Sequence, residues 1–516
     1  MSVGDLSKIL SEMHRRTSAY EAAKAKGLAA GDPDEVLYWF HFAATIAWLY
    51  PFDRWCDADI DASLEKLSSV LGPAATGVES HRDNLVHLTS ATFVGGGHTE
   101  VLLFWSECVG TAIVSSEWDD PQGINEADHI ATALPIYRCP PGLRPSEKVL
   151  WIFNKLAETR PGKLVLHINP NDAVALAACL IYRRTSGAEI ILYDHADTFF
   201  WLGASLLDRV IEFRPVGASI AHLKRDIPSE KISLVSLTSR NRNSPEVTRA
   251  SLGLPHSATV SLTVAAYYKV RPDGYWDYPR TINRILEQHP FHYHLVVGHG
   301  TKEDEASLCQ ALKNQRVLWL GHRNDIDELL RASDFVIESF PLMGGTLRLD
   351  AMRAGKPVVA VSHPAWPLIF ETGAFPSDYA FVAASNEEVA AFSAALIRDS
   401  KLTAETGARL QAHFKENFFH EVVERALKEA LGGKVFKGGP AGPLVYDPIR
   451  FTNLLNRGRL NLLTVRNMAE TDLCYVPPES LLGRVKYLAG YTREALKRRL
   501  KWLRNRLNLG IGAQSG

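Results

Sequence analysis

Ile337–Val359 reads IESFPLMGGTLRLDAMRAGKPVV, and its order of residue types decides the fold. An apolar run ends in a glycine pair, a helical stretch follows, and a second apolar run begins after Gly355-Lys356-Pro357. That is strand, turn, helix and strand, with the glycine and proline closing the helix. Gly344 and Gly345 carry no Cβ, so an anion can approach their backbone N–H groups closely. Thr346 adds a hydroxyl where the helix starts, and a helix N-terminus attracts negative charge. Asp350 falls one turn later on the same face, where a carboxylate suits a ribose diol. The segment is built to hold a nucleoside diphosphate.

Outward from this stretch the same texture repeats. Ala258–Tyr268, Phe291–Gly300, Arg316–His322, Asp334–Phe340 and Lys356–Ser362 read as strands, with helices such as Thr281–Gln288 and Glu303–Asn314 between them. Upstream, Asn84–Phe93, Val101–Gly110, Thr111–Trp118, Lys163–Pro170 and Ala188–Asp197 are apolar, β-branched runs of the same kind. Strands alternating with helices predict parallel sheets covered on both faces. The spacing predicts a helical region over 1–80, a Rossmann-like domain over 84–222, a second over 234–430, and a linker with a tail over 437–516. Ligands of such sheets bind at the carboxyl ends of the strands, so a cleft between the two domains is expected. Within the helical region, Tyr38–Tyr50 reads as a buried helix, too short to span a bilayer.

Composition narrows the function. The chain has 516 residues, 46% apolar, with a formal net charge of −1. No bulk field favours nucleic acid or a membrane. Six scattered cysteines form no CxxC pair, which fits reduced thiols and a cytoplasmic setting rather than a zinc site. Met1–Arg16 lacks the apolar core of a signal peptide. Arg484–Arg506 carries nine Lys/Arg and one acid, with Leu496, Leu500, Leu503 and Leu507 at helical spacing. Two readings stand for it: a basic amphipathic helix on anionic lipid at the inner membrane face, or a surface helix with its leucines on the protein body.

The chain resembles glycosyltransferases of the GT-B fold, and within them the protein O-linked N-acetylglucosamine transferase group and its bacterial relatives. Three places carry the resemblance: Glu338–Met352, Val264–Pro272 (VAAYYKVRP), and Leu318–Asp327 (LWLGHRNDID) running through Ala332–Asp334 into Phe335–Glu338. Gly95–Thr99 and Leu192–Gly203 also look like N-domain loops of related bacterial enzymes. Residues 1–80 and 437–516 have no match, and there is no tetratricopeptide array. The resemblance implies a nucleotide-sugar donor, by custom of the group a uridine one, and a protein or glycan acceptor. It implies that Lys269 contacts the diphosphate, and that Gly344, Gly345 and Thr346 hold the phosphates. Asp350 would take the ribose, and Gly321–Arg323 would sit near the base. The chain departs from the pattern at Leu347, where relatives carry a second hydroxyl, and at Met343, where they carry Asn. Leu342 and Asp350 stand where retaining enzymes place a glutamate pair, which turns the expectation toward inversion.

Charge growing on the leaving diphosphate is met in such sites by a cation and a helix N-terminus, so neither metal nor cofactor is expected. Asp57–Asp59 lies in the helical N-terminal region and Asp325–Asp327 is read as a helix start, so both are taken as structural and not as metal ligands. His98, in a glycine-rich loop after an N-domain strand, is the expected base; the same loop could instead position the acceptor or cap the helix. His195 and Asp197 are candidates for sugar or acceptor contacts. His299 and His322 sit at C-domain strand ends. Tyr275, Trp276 and Tyr278 are read as a loop packed on its own domain, the alternative being stacking on a sugar or base. Two rivals remain: a sugar-nucleotide epimerase on the same fold, and a degenerate transferase-like partner protein.

Overall fold

The computed structural model describes residues 3–72, 77–92, 97–116, 134–239, 245–362, 374–438, 460–473, 475 and 477. Residues 439–448 of the expected linker and the basic helix Arg484–Arg506 lie outside them.

Strands that are apolar on both faces need cover on both faces, and two all-parallel sheets provide the arrangement. The first contains β1 (His81–Thr89), β2 (Ala112–Ser115), β3 (Ile136–Arg138), β4 (Pro161–His167), β5 (Glu189–Tyr193), β6 (Arg209–Glu212) and β7 (Ile232–Leu234). Its order is β3-β2-β1-β4-β5-β6-β7. The second contains β8 (Thr259–Val264), β9 (His292–Val297), β10 (Val317–Gly321), β11 (Phe335–Ile337), β12 (Val358–Val361) and β13 (Val382–Ala383), in the order β10-β9-β8-β11-β12-β13. In each sheet the strand order reverses once, between β1 and β4 and between β8 and β11. Loops leaving the strands there diverge and open a crevice. The alternation of side chains is visible on β11 and β12: Phe335, Ile337, Val359 and Val361 enter the core on one face, Val336, Val358 and Ala360 the core on the other.

The N-terminal helices are a cap on the first sheet. α1 (Val3–Ala29), α2 (Pro33–Leu49) and α3 (Ala58–Leu71) cover α5 (Pro145–Thr159) and α6 (Ala173–Ser186), while α4 (Gly97–Cys108) and α7 (Pro215–Arg225) complete the layers of the sheet. α2 is the expected buried helix, started by Asp32, whose carboxylate accepts from the N–H groups of Asp34 and Glu35. Asp57 starts α3 in the same way and also accepts from Lys24 and Tyr20 at 2.9 and 2.8 Å.

Three expectations need correction. Val101–Gly110 is not a strand: residues through Cys108 form α4, because an apolar run of this length fits a buried helix as well as a strand. The first domain does not end at residue 222, since β7 pairs with β6. The second is not self-contained over 234–430. After α8 (Tyr278–Gln288), α9 (Lys302–Ala311), α10 (Ile326–Ala332), α11 (Gly345–Arg353), α12 (Asn386–Arg398) and α13 (Ser400–Asn417), the chain returns, and α14 (His420–Leu431) packs on the first sheet. Val423 and Leu427 join Val165, Ile191 and Ile211 there. The Lys163 ammonium donates to the Leu431 carbonyl at 2.8 Å, and Phe436 N–H to Ile232 at 2.8 Å. The outgoing and returning segments are tied by Thr238, whose hydroxyl donates to the Phe418 carbonyl at 2.7 Å. α15 (Leu462–Leu473), placed in the tail by sequence, docks on α2 through His41 and Asp472, 3.0 Å apart.

Leu427 is fully buried at this return crossing. Leu427→Ala should therefore cost about 2–5 kcal/mol in chemical denaturation. A loss of a few tenths would mean that α14 is not seated on the first sheet.

Candidate active site

The crevice loops of the second sheet come from β8 and β11. Beyond β8, Tyr267–Val270 forms a single tight turn that carries Lys269. Beyond β11 come Glu338 and the run to Gly344. The two are stitched together: Leu342 N–H donates to the Lys269 carbonyl at 3.1 Å, and the Lys269 ammonium donates to the Met343 carbonyl at 3.3 Å. Burial pushes the Lys269 pKa down, and the charge of Glu338 pulls it back up.

α11 starts at Gly345 with Gly344 as its cap and no side chain bonded to its first N–H groups. Its base is clamped from below. Arg348 Nε donates to Glu338 Oε1 at 2.8 Å, and Val361 N–H donates to Glu338 Oε2 at 3.3 Å. Both charged side chains are buried. Met343, where relatives carry Asn, lays its sulfur 2.8 Å from Arg348 Nη2. Leu347 is buried in the core beneath the helix, which accounts for the missing second hydroxyl. A Cβ at Gly345 would meet nothing within 4 Å, and one at Gly344 only the Val264 carbonyl at 3.8 Å. The protein itself does not require glycine at either place. Gly298 differs, since a Cβ there would lie 1.8 Å from the Ala265 carbonyl.

A cavity of about 730 Å³ opens above this turn, and both domains line it. From the second domain come Lys269, His299, His322, Arg323, Gly344, Gly345, Thr346 and Asp350; from the first, His98, Glu100, Tyr193 and His195. The domains face each other at close range: a Cβ on Gly97, at the start of α4, would stand 3.6 Å from the Thr346 methyl. Asp350 is buried, accepts a hydrogen bond from the Ser239 hydroxyl, and lies 4.0 Å from Arg353. Arg323 is held by Asp325, with Nε 2.8 Å from Oδ1, and the pairing raises the guanidinium pKa.

Across the cavity, the His98 and His195 rings lie 4.3 Å apart, centroid to centroid. His98 Nε2 donates to the His167 carbonyl at 2.6 Å. His195 Nε2 meets His167 Nδ1 at 3.0 Å, and His167 Nε2 meets His87 Nδ1 at 3.2 Å. Burial pushes all four pKa values down, that of His87 to about 4.

Two sequence candidates fall outside the lining. Gly321 ends β10 at a φ of +63° and shapes the left-handed turn that delivers His322–Asn324 into the cavity. Asp197 is buried against Arg214, with Nε 2.5 Å from Oδ2 and Nη2 2.9 Å from Oδ1. It does not share the direction of His195, because the chain turns immediately after β5, where Ala196 N–H bonds back to Asp194 Oδ1 at 2.8 Å. Trp276 and Tyr278 are fully buried in the second domain and Tyr275 bonds to Ala384 at 2.5 Å, so this loop packs on its own domain. Asp327 pairs with Arg353. Sequence reasoning passed over Ser239, Tyr193, Glu100 and His167: Ser239 lies in a turn-rich stretch between the two runs of strands, Tyr193 was not singled out within Leu192–Gly203, and Glu100 and His167 carried no motif.

Residues 259–399 match the family model described as glycosyl transferases group 1. The chain has the GT-B fold. Anabaena Alr3699/HepE, solved in complex with UDP and glucose, superposes with a TM-score of 0.52 at 17% identity, covering 68% of this chain and 100% of that one. A glycosyltransferase from Rickettsia africae ESF-5 gives a TM-score of 0.52 at 14% identity, with 68% and 98% covered. A mutant of the Thermobaculum terrenum O-GlcNAc transferase gives 0.48 at 14% identity, with 80% and 83% covered. No curated protein matches the chain by sequence. Among the described residues no helix is long and apolar enough to cross a membrane. The GT-B arrangement explains the cavity's position, since both crevices open toward the same gap.

The histidines make stability depend on pH. Between the unfolded value of 6.5 and about 4, the unfolded chain binds a proton at His87 that the folded chain excludes. Stability held above 6.5 is lost as pH falls through this window, by about 3 kcal/mol at full protonation. His87→Gln keeps an acceptor for His167 and a donor for Val109, and should flatten the fall in melting temperature between pH 6.5 and 4.5. Parallel curves for the two proteins would remove His87 from the acid response.

Proposed function

We propose that this protein transfers a sugar from a uridine diphosphate sugar to a hydroxyl of a protein or glycan acceptor, with inversion and without a metal. One observation carries the reading. Lys269, the side-chain-free start of α11 and Asp350 meet in a single cavity with His98 and His195 opposite. Space is kept above Gly344 and Gly345 that the fold does not need, next to N–H groups with no side-chain cap. A diphosphate fits that chemistry, and a ribose diol reaches Asp350 one turn further on. The UDP and glucose held by Alr3699/HepE on the same fold support the donor class.

In the transfer, the bond between the anomeric carbon and the β-phosphate oxygen breaks, and its electron pair leaves with the diphosphate. Lys269 and the α11 N–H groups meet that charge. The acceptor oxygen bonds the anomeric carbon from the opposite face. Its proton passes to Nδ1 of His98, because Nε2 already carries the hydrogen given to the His167 carbonyl. Burial keeps His98 neutral at pH 7, with its pKa below 6.5.

Gly345→Ala separates fold from function. It should raise stability by about 0.5–1 kcal/mol, because the site has room and the chain loses less entropy on folding. The same change should weaken UDP binding in calorimetry; unchanged affinity would place the diphosphate elsewhere. His98→Ala should lower turnover by roughly 10²–10⁴ while leaving UDP affinity intact, whereas Lys269→Ala should lose both. Full turnover in His98→Ala would end its assignment as base. The acid limb of kcat/KM should lie below pH 6.5, where His98 gains its proton. The alkaline limb should lie below pH 10.5, where burial makes Lys269 release its own. A thermal-shift panel of sugar nucleotides names the donor, since a ligand of the folded state raises the melting temperature. An epimer formed from donor alone would instead identify an epimerase, and no UDP binding at millimolar ligand would identify a degenerate partner protein.

A further inference from the structure

His87 and His167 do not line the cavity, yet they are joined to a histidine that does. Their side chains are fully buried, His87 within β1 and His167 at the end of β4. We propose, on the reading of the cavity as a sugar-transfer site, that His167 is a positioning residue. Backed by His87, it holds His195 in the tautomer with hydrogen on Nε2 and leaves Nδ1 bare as an acceptor for a sugar hydroxyl.

The direction of the chain of bonds is forced at its inner end. His87 Nε2 lies 3.0 Å from the Val109 carbonyl, which can only accept. That nitrogen therefore carries the hydrogen, and in a neutral ring Nδ1 of His87 is then bare. The hydrogen in the 3.2 Å contact between the rings must come from Nε2 of His167. Nδ1 of His167 is then bare in turn, and the hydrogen in the 3.0 Å contact must come from Nε2 of His195. Each ring has one hydrogen to give, and each gives it inward. The rings are neutral because they are buried: Trp105 stands edge-on to His167 at 5.3 Å, and Tyr193 packs on His195 at 4.8 Å. His98 obeys the same rule through a separate bond, since its Nε2 gives its hydrogen to the backbone carbonyl of His167.

One buried residue thus sets both first-domain imidazoles that reach the cavity, His195 by its side chain and His98 by its main chain. Nδ1 of each has no protein partner among the described residues. Nδ1 of His195 is thus a neutral acceptor for a hydroxyl or amide N–H of an uncharged sugar, beside the Nδ1 of His98 that takes the acceptor's proton. They offer nothing to a carboxylate or a phosphate, so the diphosphate has one end of the cavity and the sugar the other.

Nitrogen-15 histidine labelling with long-range proton–nitrogen correlation tests this on the unaltered protein. The expected spectrum shows His195 and His167 with protonated Nε2 and bare Nδ1. A His195 protonated on Nδ1 overturns the proposal. His167→Phe keeps an aromatic ring but removes the acceptor for His195. It should mix the His195 tautomers and lower turnover of the thermal-shift-selected sugar nucleotide on the order of 10–10³-fold, while His98 keeps its bond to the main chain. UDP affinity should hold, because the nucleotide does not reach His195. His167→Gln accepts from His195 and donates to His87, and should restore the tautomer and most of the turnover. If His167→Phe does not fold, the native spectrum and His167→Gln decide. An unchanged tautomer with full turnover in His167→Phe refutes the role. Loss of UDP binding by the unaltered protein would refute the donor reading and leave the tautomer result standing.

Discussion

The buried pair of Glu338 and Arg348 is the interaction on which the start of α11, and with it the second domain's wall of the cavity, rests. Glu338 leaves the end of β11 and Arg348 lies in the first turn of α11, so their bond fixes where the helix begins. Glu338 also takes the N–H of Val361 on the next strand, which ties the same point to the sheet. A buried charge that loses its partner costs about 3–5 kcal/mol, so the pair cannot drift apart cheaply. With the helix base clamped, its open N-terminus has only one direction left, toward the gap between the domains.

That gap is set by topology before any side chain is considered. In each sheet the reversal of strand order opens a crevice at the carboxyl ends. Lys269 and the glycine turn leave β8 and β11, the two strands at the reversal of the second sheet; His167 ends β4 and His98 opens α4, the helix that follows β1, and β1 and β4 are the two at the reversal of the first. The return of α14 onto the first sheet, and the tie of Thr238 to Phe418, make the two crossings a double connection beside the cavity. Ser239, the next residue, bonds to Asp350. The carboxylate suited to a ribose is thus already in contact with the segment that joins the domains.

The strand, glycine turn and helix of Ile337–Val359 were legible in the sequence because they are local. A glycine pair, a hydroxyl and an acid one turn later are all spaced by helix geometry, and the flanking runs are continuous enough to read as buried strands. The parallel sheets followed from the same alternation. What the sequence concealed was assembled from distant parts. Val101–Gly110 was ambiguous because a short apolar run carries no period of its own. The domain limits failed because α14 and α15 read as ordinary amphipathic segments, and nothing in them says which surface they cover. His195 and Asp197 looked like one constellation until the Asp194 turn sent them apart. His167 had no motif at all: its role exists only because β1, β4 and β5 lie side by side and bring three rings into line.

The two halves of the cavity answer two different chemical demands. The second domain presents a cation and unpaired N–H groups, which lower the energy of an anion and do little for a neutral hydroxyl. The first presents imidazoles that burial keeps uncharged, which can accept from a hydroxyl and offer no charge to an anion. Had the histidines been cationic, the anion would have found binding sites on both walls, and the sugar would have had no preferred orientation between them. Desolvation acts on both walls, pulling the histidines below their ordinary pKa, but at Lys269 the charge of Glu338 works against it and favours the ammonium. On the proposed reading, the direction of a nucleotide sugar across the cavity follows from which wall can hold a charge.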